Sequence, residues 1–221
     1  TLNVRLATYP AGTLSGATRE AFWADYRRMF APQLAVFGET PYDNYTTMMV
    51  FDSASQGGSA LEHQNSHVGL YTPTGIGQPW VASVTAHEIF HAFNVKRLRP
   101  AEMVPYRYDV PQPTPWLWVS EGITDYYADL TLVRGGIVDS AEFLRTTEGK
   151  ITGVSQTIPV ALEDASLTTW IQPTDGTGYV YYPKGSLAGF MLDILIRDAS
   201  DNQGSLDDVM RQAYRNSYKK G

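Results

Sequence analysis

A chain of 221 residues with 43% hydrophobic content can bury one sizeable core, or two lobes of a single catalytic unit. Its net charge of −6, with no long run of either sign, points away from a nucleic-acid or anionic-membrane partner. The sequence has no cysteine, which excludes disulfides and thiolate metal ligands.

No apolar run reaches the roughly eighteen residues that would span a bilayer, and no basic, apolar and small-residue series opens the chain as a secretory leader would. The Thr1 start and the Lys-Lys-Gly end are those expected of a piece of a longer protein. Compartment and oligomeric state stay open.

Leu2, Val4 and Leu6 alternate with Asn3 and Arg5, the period of a half-buried strand over residues 2–8. Over residues 17–37, Phe22, Trp23, Tyr26, Met29, Phe30 and Leu34 recur at helical spacing, so an amphipathic helix is expected. Residues 45–51 and 68–71 read as strands. Between them SQGGSALEHQNSH, residues 55–67, reads as a polar loop whose glycines permit close backbone approach. It carries His63, Asn65, His67 and a single acid, Glu62, which taken alone reads as a solvated carboxylate.

Residues 79–97 read as one buried helix, because Trp80, Val81, Val84, Ile89, Phe90, Phe93 and Val95 leave almost no polar face. This helix carries HEIFH at 87–91. His87 and His91 stand four apart, on one helix face about a turn apart, where two imidazoles can grip one metal ion. Glu88 is offset by about 100° around the helix, free of the metal yet able to reach a water bound to it. This is the HExxH arrangement of zinc hydrolases, although two hydrogen-bonded core histidines would leave the same five residues. Asn94, Lys96, Arg97 and Arg99 gather where Pro100 stops the helix, and are expected to pair with carboxylates of a neighbouring lobe.

A catalytic zinc takes three protein ligands and keeps a fourth position open. Residues 100–115, with five prolines, form a long loop. Beyond it WLWVSEGITDYYADL, residues 116–130, sets Glu121 and Asp125 four apart in apolar, aromatic-rich surroundings that carboxylates rarely enter unpaired. Glu121 is therefore read as the third ligand of one zinc ion. Asp125 is read as the carboxylate that receives the free ring N–H of a ligating histidine. An acid near a helix N-cap is the plainer alternative for Glu121. The helix is expected to run to about residue 133, another begins at Ser140, and residues 151–178 read mostly as loop around a turn at 162–166. YYPKGSLAGFMLDILIRD, residues 181–198, reads as a helix whose buried stripe is Leu187, Phe190, Met191, Ile194 and Leu195. Ser205 and Asp208 have the spacing of a capping box for the last helix.

HEIFHAFNVKRLRP, followed at a long interval by WVSEG, with GGSALEHQNS upstream and YYPKG downstream, resembles the glycyl aminopeptidase family of gluzincin zinc metallopeptidases over residues 57–185. NVKRLRP and the separation of thirty residues between His91 and Glu121 carry the resemblance beyond HExxH. The fold it implies is α+β, a thermolysin-like catalytic domain with a small mixed-sheet lobe (1–77) packed on a mainly helical zinc-binding lobe (78–221) and zinc in the cleft. The β-rich N-terminal domain and C-terminal PDZ domain usual in the family find no segment here. The resemblance further implies that Asp125 serves His87 and that Glu62 binds the α-amino group of a peptide substrate. It also implies that Tyr182 donates a hydrogen bond to the tetrahedral intermediate, with Tyr179 and Tyr181 as rivals. The implied activity is release of small N-terminal residues, glycine or alanine. Zinc would activate water and carbonyl, and Glu88 would take the water's proton and pass it to the leaving amine. An endopeptidase in which Glu62 is incidental and a zinc-stabilised binding module are the alternatives. An intact Glu88 counts against the module, since binding needs no general base.

Overall fold

The computed structural model describes residues 2–220, and its α+β fold divides into two compact units. The first comprises Thr1–Arg97 with Ala128–Asp139, the second Leu98–Tyr127 with Ser140–Gly221. The helix bearing His87 and His91 therefore counts with the sheet, not with the helices that follow it. Among the described residues no helix is long and apolar enough to cross a membrane.

The first unit is built on a four-stranded sheet. Strands β1 (Asn3–Tyr9), β2 (Asn44–Phe51), β3 (Gly58–Glu62) and β4 (Ser66–Tyr71) lie in the order β1-β2-β4-β3, with β1, β2 and β4 parallel and β3 antiparallel to β4. A parallel β1–β2 pair needs a crossover, and helix α1 (Gly16–Phe37) supplies it. Alternate residues of β2 and β4 are buried, Tyr45, Thr47, Met49 and Phe51 on the one and His67, Gly69 and Tyr71 on the other. Helix α1 turns Phe22, Tyr26, Met29 and Phe30 inward as its periodicity predicts, with the predicted Trp23 and Leu34 only partly buried and Gln33, Val36 and Phe37 buried in addition. Tyr26, Met29, Tyr45, Met49 and Ile89 join one core cluster, and side chains so fully buried each contribute about 1.5–3 kcal/mol by area removed from water.

Two expectations change here. The stretch read as a loop at 55–67 contains β3, which pairs with β4 from Gly58↔Tyr71 to Glu62↔His67. Its Gly-Ser-Ala-Leu-Glu sequence has weak strand propensity and no buried alternation, because it is an exposed edge whose pairing comes from β4. His67 is thus a strand residue with no exposed surface, not a loop histidine. The helix read over 79–97 is α2, Pro79–Phe90, and it stops inside the HEIFH motif. Near its start the Trp80 ring lies against Gly58, where a Cβ would sit 2.5 Å from Cζ3, so α2 and the edge strand are in close contact.

In the second unit, π-helical turns span Trp118–Ile123 and run into α3 (Thr124–Arg134), which passes into the first unit at Ala128. The regular α-helix expected from Glu121 onward is thus π-wound at its start. Helix α4 (Ser140–Ser155) extends into the region read as loop, and α5 (Leu162–Thr168) replaces the expected turn. Helices α6 (Tyr181–Ala199) and α7 (Leu206–Ser217) complete the unit, and the capping box is present, with the Ser205 N–H donating to Asp208 Oδ2 at 3.0 Å.

The predicted stripe of α6 is not the buried one. Tyr181, Gly185, Ser186, Gly189 and Asp193 are buried, while Met191 is 61% and Leu195 59% exposed. The face that carries small residues wins because it allows closer approach, with Gly189 against the Tyr126 ring and Gly185 against Gly122. Asp193 is tolerated there because it accepts from the Tyr126 hydroxyl at 2.8 Å, the Leu206 N–H at 2.8 Å and Arg197 Nε at 3.1 Å. Burial pushes its pKa up, but these hydrogen bonds and the Arg197 charge outweigh burial and hold it below the ordinary value.

Candidate active site

Helix α2 ends at Phe90, and His91 is its C-cap. His87 and His91 are both buried, and their Nε2 atoms face each other at 2.9 Å. Together with Glu88, also buried, they place one ligand atom each within 4.8 Å of one another. Zinc–nitrogen bonds of about 2.05 Å in a tetrahedral arrangement would separate two imidazole nitrogens by about 3.3 Å, so small side-chain shifts suffice to seat an ion.

The tautomer of His91 follows from its surroundings. Its Nδ1 lies 2.6 Å from the Asn94 carbonyl, which can only accept, so the proton sits on Nδ1 and Nε2 presents its lone pair. The backbone of the turn after the helix orients this ring, a role the sequence reading did not assign. Two cations of that turn have defined partners as well. Arg97 donates to the backbone carbonyls of Gln64 (2.9 Å), Ala92 (2.6 Å) and Pro41 (3.1 Å), and Lys96 pairs with Glu62 at 2.9 Å within the same unit. Lys96 thus pairs with a carboxylate of the 1–77 segment, as expected, whereas Arg97 meets backbone carbonyls in place of the expected carboxylate. The carbonyls that Arg97 meets belong to loop and turn residues outside any helix or strand, where a long side chain supplies the donor that no backbone ladder provides.

Beneath the motif the sheet supplies an aromatic and imidazole floor. The Tyr45 hydroxyl lies 3.0 Å from the Glu88 carbonyl oxygen and 3.1 Å from His67 Nδ1, and Gln33 Nε2 donates to the Ala86 carbonyl at 2.7 Å. Burial raises the pKa of Tyr71, and the Glu88 charge adds to it. The same two causes act on Tyr45, along with neighbouring Tyr42.

Burial, followed by the nearby His91, His63 and His87, lowers the pKa of His67 from the ordinary 6.5 to about 3. The folded chain therefore holds His67 neutral down to about pH 3, while the unfolded chain takes up its proton near 6.5. Stability falls with acidification through this window by about 1.4 kcal/mol per pH unit from this one group, and is unaffected by it above. Urea unfolding at pH 7 and pH 4.5 is expected to show a steeper loss for the wild type than for His67→Asn. Equal slopes would mean that His67 is not held neutral.

Glu121 lies in the π-helical turns, where the Trp118 N–H donates to Ser166 Oγ at 3.0 Å and Thr124 Oγ1 to the Ser120 carbonyl at 2.6 Å. Asp125, in the first turn of α3, is 3.2 Å from Lys150 Nζ, which also donates to Ser186 Oγ at 2.8 Å. Tyr182 is half-buried in the first turn of α6, stacked on Tyr181 at 4.7 Å between ring centroids. Tyr179 is 75% exposed, while burial and then the Glu121 charge push Tyr181 up to about 12. The π turns and α6 touch at Gly122 and Gly185, where a Cβ on Gly122 would lie 2.5 Å from Gly185 Cα and 2.6 Å from the Tyr181 carbonyl oxygen. This glycine contact sets Glu121 and Tyr182 into one framework. Nothing in the sequence reading singled it out, although each glycine is adjacent to a motif residue or its turn.

Glu62 closes β3, directly opposite His67 in register, and its carboxylate is the partner of Lys96. His63 and Asn65 are exposed in the β3–β4 turn, which is closed by the His63 N–H donating to the Ser66 carbonyl at 2.8 Å. A cleft of about 460 Å³ lined by Ala17, Phe22, Asp25, Pro79 and Ala82 opens at the far end of α2, about 12 Å along the helix from His87, and is not part of this constellation.

The family model for M61 glycyl aminopeptidase matches residues 80–188, from the start of α2 to the first turns of α6. The match includes the HEIFH, WVSEG and YYPKG motifs and begins downstream of Glu62. No curated protein matches the chain. Among solved structures, an aminopeptidase N family protein from Idiomarina loihiensis is similar with a TM-score of 0.86 and 26% identity, over 97% of this chain and 39% of that one. An M1 zinc metallopeptidase from Deinococcus radiodurans is similar in fold, with a TM-score of 0.62, 17% identity and coverage of 97% and 40%. Yeast LTA4 hydrolase in complex with bestatin likewise shares the fold, with a TM-score of 0.64, 15% identity and coverage of 97% and 32%. The chain thus spans about two fifths of the length of the first two structures it resembles.

Proposed function

We propose that this chain, matched by the M61 glycyl aminopeptidase family over residues 80–188, is the metal-holding part of a zinc aminopeptidase that hydrolyses the first bond of peptides headed by glycine or alanine. The observation that carries the reading is the buried His87–His91 pair, with Nε2 atoms 2.9 Å apart and Glu88 beside them. Two imidazoles and a carboxylate are a donor set that suits zinc, and the tautomer held by the Asn94 carbonyl leaves the correct nitrogen of His91 for the ion.

His87, His91 and Glu121 would hold one zinc ion, with Asp125 orienting His87. The ion, when bound, supplies Lewis-acid activation of water and of the scissile carbonyl. Glu88 accepts a proton from the attacking water and returns it to the leaving amine. Tyr182, a phenol protonated at neutral pH, donates a hydrogen bond to the developing oxyanion. Glu62 receives the α-ammonium of the substrate, which leaves only the first peptide bond within reach of the metal.

The ion pair of Glu62 with Lys96 favours one second reading, an endopeptidase, because a carboxylate already held by an ammonium attracts another less strongly. Peptides headed by Gly, Ala or Leu, each with a free or acetylated N-terminus, separate the two. Chelator-sensitive cleavage of the free amines alone is expected, with glycine and alanine preferred. Equal cleavage of acetylated peptides would replace the aminopeptidase by the endopeptidase.

A further inference from the structure

We infer that Tyr45, backed by His67, is a positioning residue for Glu88. The inference rests on the reading of Glu88 as the group that moves the proton. Helix α2 stops two residues after Glu88, and the Ala92 N–H that would close the next α-turn on the Glu88 carbonyl bonds the Ile89 carbonyl instead. The Glu88 carbonyl is one of the terminal acceptors that a helix cannot satisfy internally. The Tyr45 hydroxyl reaches it at 3.0 Å from the middle of the sheet, and both groups are buried.

The direction of each bond is determined. A carbonyl only accepts, so the single hydroxyl proton of Tyr45 goes to Glu88. The hydroxyl oxygen then accepts from His67 Nδ1 at 3.1 Å, which places the imidazole proton on Nδ1. Both Tyr45 and His67 have no exposed surface, and His67 Nε2 makes no hydrogen bond among the described residues. A leucine would fill the position of His67 without a buried, unmatched nitrogen. The histidine adds one thing a leucine lacks, a donor that locks the phenol oxygen and leaves its proton directed at Glu88. Such a chain of bonds reinforces itself in a dry interior. The strand thereby holds the backbone of the one residue whose carboxylate must meet a water within a few tenths of an ångström.

The test uses zinc-loaded Tyr45→Phe, His67→Leu and His67→Asn, whose side-chain Nδ2 stands where His Nδ1 stood. Peptide kinetics are measured together with zinc affinity, by competition with a chromogenic chelator, and with the Glu88 carbonyl carbon resonance in selectively labelled protein. For Tyr45→Phe the expected result is unchanged zinc affinity and KM, a kcat about tenfold lower, and an upfield move of the Glu88 carbonyl. His67→Leu is expected to follow in the same direction, and His67→Asn to recover most of kcat. The inference is overturned by an unmoved carbonyl, by full kcat with a moved carbonyl, or by a kcat loss that tracks loss of zinc. If Tyr45→Phe does not fold, the contrast between His67→Leu and His67→Asn decides alone. If the wild type turns over no peptide, the aminopeptidase reading has failed, and the carbonyl resonance still decides whether Tyr45 holds Glu88.

Discussion

Glu88→Gln is expected to hold zinc as the wild-type chain does and to turn over peptides about 10³-fold more slowly. The carboxylate is buried on α2 beside the histidine pair, so the amide fits the same space without opening a cavity. What the amide cannot do is accept a proton from water, and the proposed cycle asks Glu88 for two transfers, one from the water and one to the leaving amine. General acid–base groups contribute about 10²–10⁴-fold, and a residue used twice belongs towards the upper part of that range. His87→Ala, by contrast, is expected to lose the metal itself, because one imidazole of the 2.9 Å pair is gone. Metal analysis beside kinetics on the two purified variants separates the roles. A Glu88→Gln protein with most of its activity would show that another group moves the proton.

The second large effect is expected on stability, at Gly122→Ala. The new methyl group would meet Gly185 Cα at 2.5 Å, the Tyr181 carbonyl oxygen at 2.6 Å and Gly185 C at 2.8 Å. All three are backbone atoms, which cannot rotate away as a side chain would. Overpacking of this kind costs typically 1–3 kcal/mol, and a backbone collision sits at the upper end, about 3 kcal/mol. For a chain of this size that is a fall in melting temperature of about 6–12 °C. Because Glu121 adjoins Gly122 and Tyr182 lies on α6 with Gly185, activity is expected to fall at temperatures where the variant is still folded. Gly149→Ala is the control, since a Cβ on Gly149 in the interior of α4 meets nothing within 4 Å. Alanine there is expected to raise stability by about 0.5–1 kcal/mol through helix propensity. Thermal unfolding followed by circular dichroism measures both, and a Gly122→Ala protein that melts with the wild type would mean the two segments do not pack this tightly.

Much of the architecture was legible because it follows from period and local propensity. The apolar recurrence from Phe22 to Leu34 marked α1, the run of β-forming residues from Tyr45 to Phe51 marked β2, and the Ser205–Asp208 spacing marked the start of α7. The pairing of His87 with His91 follows from four residues per near-turn of one helix, and it survives even though α2 ends at Phe90 and His91 sits at its cap. Where period was weak or misleading, the reading missed. Strand β3 has no alternation of its own, and the buried face of α6 is the one with Gly185 and Gly189, not the one with Met191 and Leu195.

The sequence by itself determined the local chemistry: a His-x-x-x-His grip with a glutamate between, a family resemblance spread over four motifs, and the class of the fold. The tertiary structure alone decided what surrounds that grip. Tyr45 reaches Glu88 across 43 positions of chain, Gln33 reaches Ala86 across 53, and Lys96 finds Glu62 on the edge strand. Spacing along a chain dictates which side chains share a face of one helix or strand, because the backbone repeats within it. Which faces then meet depends on how closely two elements can approach, and that is set by small residues such as Gly122 and Gly185 and by the polar groups that burial forces to find partners.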